Sequence, residues 1–161
     1  MSKIIDNNKI IEVFYNDPNT WYHVREISRM LKLSPSTSSK YLDLFTKEEL
    51  LEKKEERMHS LFRANTENSK FKAKKINYNI LKIKHSGIME FLEEELNYPE
   101  AIILFGSYAK GENISKSDID IFILSETTKK LDTKDYEKKL KSEIQLFIYN
   151  KKTLNSMKQN N

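Results

Sequence analysis

The first part of the chain spaces its apolar positions as amphipathic helices do. Ile10, Val13 and Phe14 lie three and four residues apart, so they share one face of a helix that ends at the turn-forming stretch NDPN. Val24 and Ile27 begin a second stripe of this kind in the segment VREISRMLKL. The pattern predicts two helices separated by TWYH, a short stretch that favours a β-strand.

A third helix is predicted to begin in the stretch SPSTSSKYLDLF. Ser34 suits its N-cap and Pro35 its first helical position, where a proline removes no helical hydrogen bond. The segment that follows, LLEKKEERMHSLFRAN, has two strand-like arms around a charged tip at residues 54–57, and this predicts a β-hairpin.

In this order of elements, residues 1–68 resemble the winged helix-turn-helix domains of bacterial and archaeal transcription regulators. The resemblance rests mainly on VREISRMLKLSPSTSSKYLDLF. It implies that the exposed face of the third helix enters the major groove of double-stranded DNA and that the hairpin meets the DNA backbone or minor groove. The implied DNA-binding side chains are Ser36, Thr37, Ser39 and Lys40 of the helix, with Lys53, Lys54 and Arg57 of the hairpin.

A domain of this kind can also bind a protein instead of DNA. The third helix favours that alternative to some extent, because Asp43, Glu48 and Glu49 offset its lysines.

Residues 69–97 predict a long helix, or two helices that join near Gly87. Isoleucines form one apolar stripe before this glycine, and a second stripe, out of phase with the first, follows it. A helix bends or ends most easily at a glycine, so the change between the two stripes is expected there. We interpret this segment as a linker and the first helix of a second domain, which occupies residues 98–155 and is followed by a flexible tail at residues 156–161.

The stretch LFGSYAKGENISKSDIDIFIL sets two carboxylates among isoleucines. The apolar run AIILF predicts a buried strand, and Gly106 and Ser107 follow where this strand turns into a helix. A glycine lets a phosphate approach the backbone without meeting a Cβ, and the N–H groups that follow can bind it. In DIDIFIL, alternation with a period of two puts Asp118 and Asp120 on one face of a second strand.

A phosphate loop beside paired carboxylates has the parts that nucleotidyl transfer requires. Two carboxylates about 7 Å apart along a strand can converge on a divalent cation. Mg²⁺ held there would bridge the carboxylates and a nucleoside triphosphate and orient the α-phosphate for in-line attack. We therefore predict Mg²⁺ and a nucleoside triphosphate as cofactors of this segment.

This stretch resembles the minimal members of the DNA polymerase beta-like nucleotidyltransferase superfamily. The motif is Gly-Ser, ten residues and Asp-x-Asp, present here as Gly106, Ser107, Asp118 and Asp120. The resemblance implies a small α/β fold with a short mixed sheet, which makes the whole chain an α+β protein similar to an archaeal type of fusion. It also implies that the two aspartates bind the metal and act in catalysis, and that Gly106, Ser107 and Lys110 bind the nucleotide.

Two positions depart from the pattern of the superfamily. The superfamily supplies a third carboxylate from a neighbouring strand, whereas the candidate strand EIQLFIYN has Gln145 there, and an amide brings no negative charge to a metal. Glu143, two residues earlier on the same face, is a candidate substitute. Lys110 stands where the superfamily has an arginine, which keeps the charge but loses bidentate hydrogen bonding.

Composition and charge narrow the choice of compartment and partner. The chain has no cysteine and three scattered histidines, which excludes disulfides and a thiolate zinc site. It has no run of 18 apolar residues and no apolar signal-peptide core, so we expect a cytoplasmic protein without membrane association. Residues 1–75 contain 15 Lys and Arg against 11 Asp and Glu and so carry the whole net charge of +4, which favours a nucleic-acid partner.

Three functions stay open on this basis. The first, which we favour, is a DNA-binding regulator, expected to be a homodimer, whose second domain binds Mg-nucleotide with weak or no turnover. The second is an active nucleotidyltransferase that moves AMP or another nucleotide onto a protein or small-molecule acceptor. The third is similar to the minimal nucleotidyltransferase antitoxins, which act on a helical partner protein. Gln145 favours the first function, and the intact Gly-Ser and Asp-x-Asp residues favour the other two.

Overall fold

A computed structural model describes the backbone of residues 2–159 and the side chains of residues 8–157. The elements in chain order are α1 (Ser2–Asn16), β1 (Tyr22–His23), α2 (Val24–Leu31), α3 (Pro35–Lys47), β2 (Leu51–Glu56), β3 (His59–Ala64), α4 (Ser69–Ser86), α5 (Ile88–Glu95), β4 (Ala101–Phe105), α6 (Gly106–Lys110), β5 (Ile119–Leu124), α7 (Lys134–Leu140), β6 (Ile144–Tyr149) and α8 (Lys151–Gln159). Helices together with two small sheets confirm the α+β class. The chain forms two compact units, and the boundary between Lys75 and Ile76 lies inside α4.

The first unit packs helices against a three-stranded antiparallel sheet with the strand order β1-β3-β2. Ile10, Phe14 and Ile27, which the helical spacing placed on inward faces, are fully buried. Ser34 caps α3 as predicted, because its hydroxyl accepts a hydrogen bond of 3.1 Å from the backbone N–H of Thr37.

The hairpin of this unit turns later than the charge pattern predicted. Lys54 lies within β2 and pairs with Leu61, while Arg57 and Met58 form the turn. Both turn residues have positive φ, 47° and 64°, as the tightest hairpin connections require. The prediction of a tip at residues 54–57 was wrong, because an exposed strand rich in Lys and Glu is as polar as a turn.

The second unit contains a mixed sheet with the order β4-β5-β6. β4 is antiparallel to β5, and β5 is parallel to β6. Ile119, Ile121 and Ile123 are buried against residues of α5 such as Ile88, which confirms the predicted alternation along β5. Gly87, with φ 83°, separates α4 from α5 and confirms the predicted break.

Strand β4 is not the buried strand that its unbroken apolar run predicted. It is an edge strand: Ile102 and Leu104 pack on the core, whereas Ile103 and Phe105 remain 50% and 38% exposed. The core packs against one face of this sheet, so alternate side chains of β4 stay on an open face.

Helix α8 continues to Gln159, into the segment predicted to be a flexible tail, and the last two residues of that prediction lie outside the described part. None of the helices described here is both long and apolar enough to cross a membrane.

Three titratable side chains of the first unit have pKa values that burial shifts. Burial lowers the pKa of Lys75 from 10.5 to about 8. Burial, helped by the nearby charge of Glu12, raises the pKa of Tyr15 to about 12. The pKa of Tyr22 is also raised to about 12, by burial and by the hydrogen bond of 3.0 Å that its hydroxyl donates to Asp17.

We predict that the melting temperature rises between about pH 8 and pH 10 and falls above pH 10. In the first range the unfolded chain holds a proton on Lys75 that the folded chain lacks, so raising the pH favours folding. Above pH 10 the unfolded tyrosines ionise while folded Tyr15 and Tyr22 do not, which reverses the slope. Thermal unfolding followed by circular dichroism from pH 7 to pH 12 measures both slopes.

The variant Lys75→Met isolates the lysine, because it should lose the rise between pH 8 and pH 10 and keep the fall above pH 10. Tyr15→Phe is the matched control, and it should keep the rise and weaken the fall. If the melting temperatures of the wild type and of Lys75→Met change in the same way between pH 8 and pH 10, the rise is not caused by Lys75.

Candidate functional site

Polar side chains gather at one end of the open face of the second sheet. The register sets Asp120 of the central strand opposite Phe105 on one side and opposite Gln145 on the other. Asp118 immediately precedes β5, and both aspartates are half-buried. Two neighbouring strands, β5 and β6, therefore bring two carboxylates and one amide together.

Gly106 is in direct contact with Asp120. The glycine has φ 69°, in the left-handed region, at the point where β4 ends and α6 begins. A Cβ on Gly106 would lie 3.2 Å from the carboxylate carbon of Asp120 and would overlap its Oδ2 atom. Both the backbone conformation and this contact therefore require glycine, and the predicted turn and the predicted acid share one site.

Gln145 of β6 forms a hydrogen bond with the other carboxylate, that of Asp118. Its side-chain Nε2 donates a hydrogen bond of 2.7 Å to Oδ2 of Asp118. The amide nitrogen must face the carboxylate, because the amide oxygen would be repelled by it. This contact engages one oxygen of Asp118 and adds no negative charge to the site.

Two buried asparagines hold the loop between α6 and β5, and sequence reasoning missed both. The side-chain amide of Asn79 donates to the carbonyl oxygen of Tyr108 at 2.9 Å and to Oδ1 of Asn113 at 2.8 Å. A signal for Asn79 existed, since it lies three residues after Ile76 and four before Ile83, within the apolar stripe of α4. A polar residue in such a stripe needs a buried partner.

The remaining residues predicted for this site lie at its margin or away from it. Ser107 is half-buried in the first turn of α6, and Lys110 is exposed at the end of that helix. Glu143 is exposed and lines a groove beside α7 together with Lys134 and Lys141. In the described part of the chain, no group of three or more His, Asp and Glu could hold a metal ion. The site thus offers two carboxylates to a cation.

The predicted contact residues of α3 lie around its N-terminus. The hydroxyls of Ser36 and Thr37 are 2.9 Å and 2.8 Å from Oγ of Ser34. Ser39 donates a hydrogen bond of 3.4 Å to Asp43, and Lys40 is exposed. Three of the four side chains therefore form hydrogen bonds within their own helix or with its N-cap residue.

Ion pairs reduce the charge that the hairpin presents. Lys53 Nζ lies 3.4 Å from the Asp43 carboxylate, and Lys54 Nζ lies 3.2 Å from that of Glu56. Arg57 is exposed at the turn. Of the three hairpin residues predicted to meet phosphates, two thus have acidic neighbours within ion-pair distance.

A basic groove lies between the starts of α2 and α3 and the hairpin turn. The predicted Ser39 lines it, but sequence reasoning missed its arginines and histidines. It has a volume of about 520 Å³. Arg25 and Arg29, both exposed and four residues apart on α2, line it. The rings of His23 and His59 line it too, with their centroids 5.7 Å apart. The spacing of residues along a helix carries no information about which distant segment lies beside the arginines, so their position next to the hairpin turn could not be predicted.

Residues 83–159 match the family model of the nucleotidyltransferase domain. The chain matches no curated protein and no solved structure. The matched range lies within the second unit and contains all three strands of its sheet, the turn at Gly106 and both carboxylates. A nucleotidyltransferase domain is therefore present in the second unit, which confirms this part of the predicted resemblance.

We predict that the contact with Asp120 makes Gly106→Ala more destabilising than Gly87→Ala. Both glycines have positive φ, so alanine at either position should cost about 1–2 kcal/mol of backbone strain. A Cβ at Gly87 would meet its nearest neighbour, Tyr136, only at 4.0 Å, whereas a Cβ at Gly106 would overlap the Asp120 carboxylate. Urea unfolding of the full chain measures the difference between the two variants.

Repeating Gly106→Ala in an Asp120→Ala background closes a double-mutant cycle. Without the carboxylate, the cost of Gly106→Ala should fall to that of Gly87→Ala. An unchanged cost would mean that the glycine is required by its backbone conformation alone.

Proposed function

We propose that the nucleotidyltransferase domain binds a magnesium–nucleoside triphosphate with weak or no turnover, and that the protein is a DNA-binding transcription regulator. One observation carries the nucleotide part of this proposal. The Asp120 carboxylate lies against the Gly106 turn, and Asp118, two residues earlier, accepts a hydrogen bond from the amide of Gln145 on the third strand.

The donor set at this end of the sheet fits Mg²⁺ and a triphosphate. Carboxylate oxygens are the side-chain ligands that Mg²⁺ prefers, and Asp118 and Asp120 supply them. Gly106 leaves room for a phosphate next to the backbone, and the Ser107 hydroxyl and the Lys110 ammonium can bind phosphate oxygens. When bound, Mg²⁺ neutralises phosphate charge and fixes the orientation of the nucleotide.

The identity of Gln145 supports binding without efficient transfer. Its position opposite Asp120 corresponds to a third carboxylate in the superfamily that this segment resembles. The Gln145 amide can neither take a proton from an acceptor nor add charge to a metal site, and it donates a hydrogen bond to Asp118. The two carboxylates that would bind the metal are thus retained, whereas nucleotidyl transfer, which needs the third acid, is impaired.

We predict that Gln145→Glu makes the stability of the protein depend on Mg²⁺. The new carboxylate would lie beside that of Asp118, and without Mg²⁺ the repulsion should cost about 1 kcal/mol at this exposed position. Added Mg²⁺ should reverse the loss. Gln145→Met is the matched control, because it removes the amide without adding charge, so its melting temperature should respond to Mg²⁺ no more than that of the wild type.

Titration calorimetry with Mg-ATP, followed by incubation with labelled ATP, tests the function itself. Wild-type protein should bind Mg-ATP without transferring label, and Asp118→Ala/Asp120→Ala should bind at least about 10-fold more weakly. Label transfer by the wild type would select the alternative of an active enzyme that acts on a protein or small-molecule acceptor, including a helical partner protein. No binding by the wild type would overturn the nucleotide proposal.

The DNA part of the proposal is supported by the first unit. The element order α1-β1-α2-α3-β2-β3 with the sheet β1-β3-β2 is the arrangement expected of the predicted winged helix. We retain the predicted contacts and add Arg25 and Arg29, because both are exposed beside the start of α3 and the hairpin turn. We also propose that the protein is a homodimer and that it acts in the cytoplasm, where DNA and nucleoside triphosphates are both found.

We predict that Arg25→Ala/Arg29→Ala weakens binding to promoter DNA and flattens its salt dependence. Each lost phosphate contact should reduce the slope of log affinity against log salt by about 0.9. Gel shifts over a salt series measure this slope. Lys134→Ala/Lys138→Ala removes two exposed charges of α7 and serves as the control that should leave the slope unchanged. If the wild-type protein leaves the gel mobility of the DNA unchanged at low salt, the proposal of a DNA-binding regulator is wrong.

A further inference from the structure

Aromatic side chains cover the open face of the second sheet beyond the carboxylates. β-strand alternation and the strand register put one set of residues on the same face as Asp120 and Gln145. The aromatic members of this set are Phe105, Phe122, Phe147 and Tyr149.

These rings contact one another in two pairs. The rings of Phe105 and Phe147, from the two outer strands, meet edge to face with their centroids 5.3 Å apart. Because β5 lies between these strands, this pair spans the central strand next to Asp120. Phe122 and Tyr149 stack nearly parallel at 5.9 Å. The register sets Phe122 of one pair opposite Phe147 of the other, so the two pairs are neighbours in one aromatic patch.

The aromatic patch is open to solvent at the edge that borders the carboxylates. Phe105 is 38% exposed and its neighbour Ile103 is 50% exposed. Phe122 follows Asp120 by two residues, and Tyr149 follows Gln145 by four, so the patch extends about 7–14 Å from the polar end. An extended nucleotide spans such a distance, with an anionic group at one end and a flat aromatic base at the other.

We propose that Phe105 and Phe147 form the platform on which the base of the bound nucleotide stacks. This inference rests on the proposed function, because the triphosphate end has to be held at Asp118 and Asp120. The rings offer π-faces and no hydrogen-bond donors or acceptors. The platform therefore favours the larger purines over pyrimidines and discriminates little between adenine and guanine.

Ring contacts on this face also stabilise the sheet, so the test needs a readout that stability alone does not move. Mg-ATP and Mg-tripolyphosphate provide it, because both carry the triphosphate and only ATP carries a base. Titration calorimetry of both ligands against wild type, Phe105→Leu and Phe147→Leu separates a loss of stacking from a loss of the phosphate site. Phe91→Leu, on α5 beside Tyr136, makes the same chemical change away from the aromatic patch.

The wild type should bind Mg-ATP more tightly than Mg-tripolyphosphate. Each platform variant should weaken Mg-ATP binding by about 10-fold and leave Mg-tripolyphosphate binding unchanged, while Phe91→Leu changes neither. Equal affinity of the wild type for the two ligands would overturn the platform and leave the proposed function standing. A loss of both ligands in the platform variants would also overturn it, because the rings would then support the phosphate site. Failure of the wild type to bind either ligand would overturn the proposed function itself.

Discussion

The contact between Gly106 and Asp120 is the constraint on which the candidate site depends. The left-handed backbone at the end of β4 brings the chain so close to the central strand that the carboxylate occupies the place of a side chain. A larger residue would have to displace either the turn or the acid. The elements proposed to bind phosphate and metal are therefore placed relative to each other by one missing Cβ rather than by a network of side chains.

The second sheet combines stability and function because only one of its faces is packed on the core. Ile119, Ile121 and Ile123 point into the core and anchor the central strand. The alternate positions of the same strand are thereby directed to the open face, with carboxylates at one end and aromatic rings beyond them. Burial of the isoleucines orients the acids, and Asn79 and Asn113 hold the loop that leads to them.

The third strand contributes a neutral amide to the site, and the proposal of weak or no turnover rests on this residue. Two carboxylates still offer a cation its preferred ligands, and the hydrogen bond from Gln145 to Asp118 fixes one of them without adding charge. In the first unit, Lys53 and Lys54 have acidic neighbours within ion-pair distance, so the proposed DNA-binding function assigns phosphate contacts first to the arginines of α2.

The sequence alone was sufficient for whatever depends on local periodicity and local backbone chemistry. Helical spacing identified the buried faces of Ile10 and Phe14, alternation separated the isoleucines of β5 from its acids, and Gly87 and Gly106 marked a break and a turn. Only the tertiary structure decided that β4 is half-exposed, that Gln145 binds Asp118, and that the arginines of α2 line a groove with the hairpin turn. These features join residues far apart in the chain, and neither the period of a strand nor that of a helix carries information about which distant side chain lies opposite.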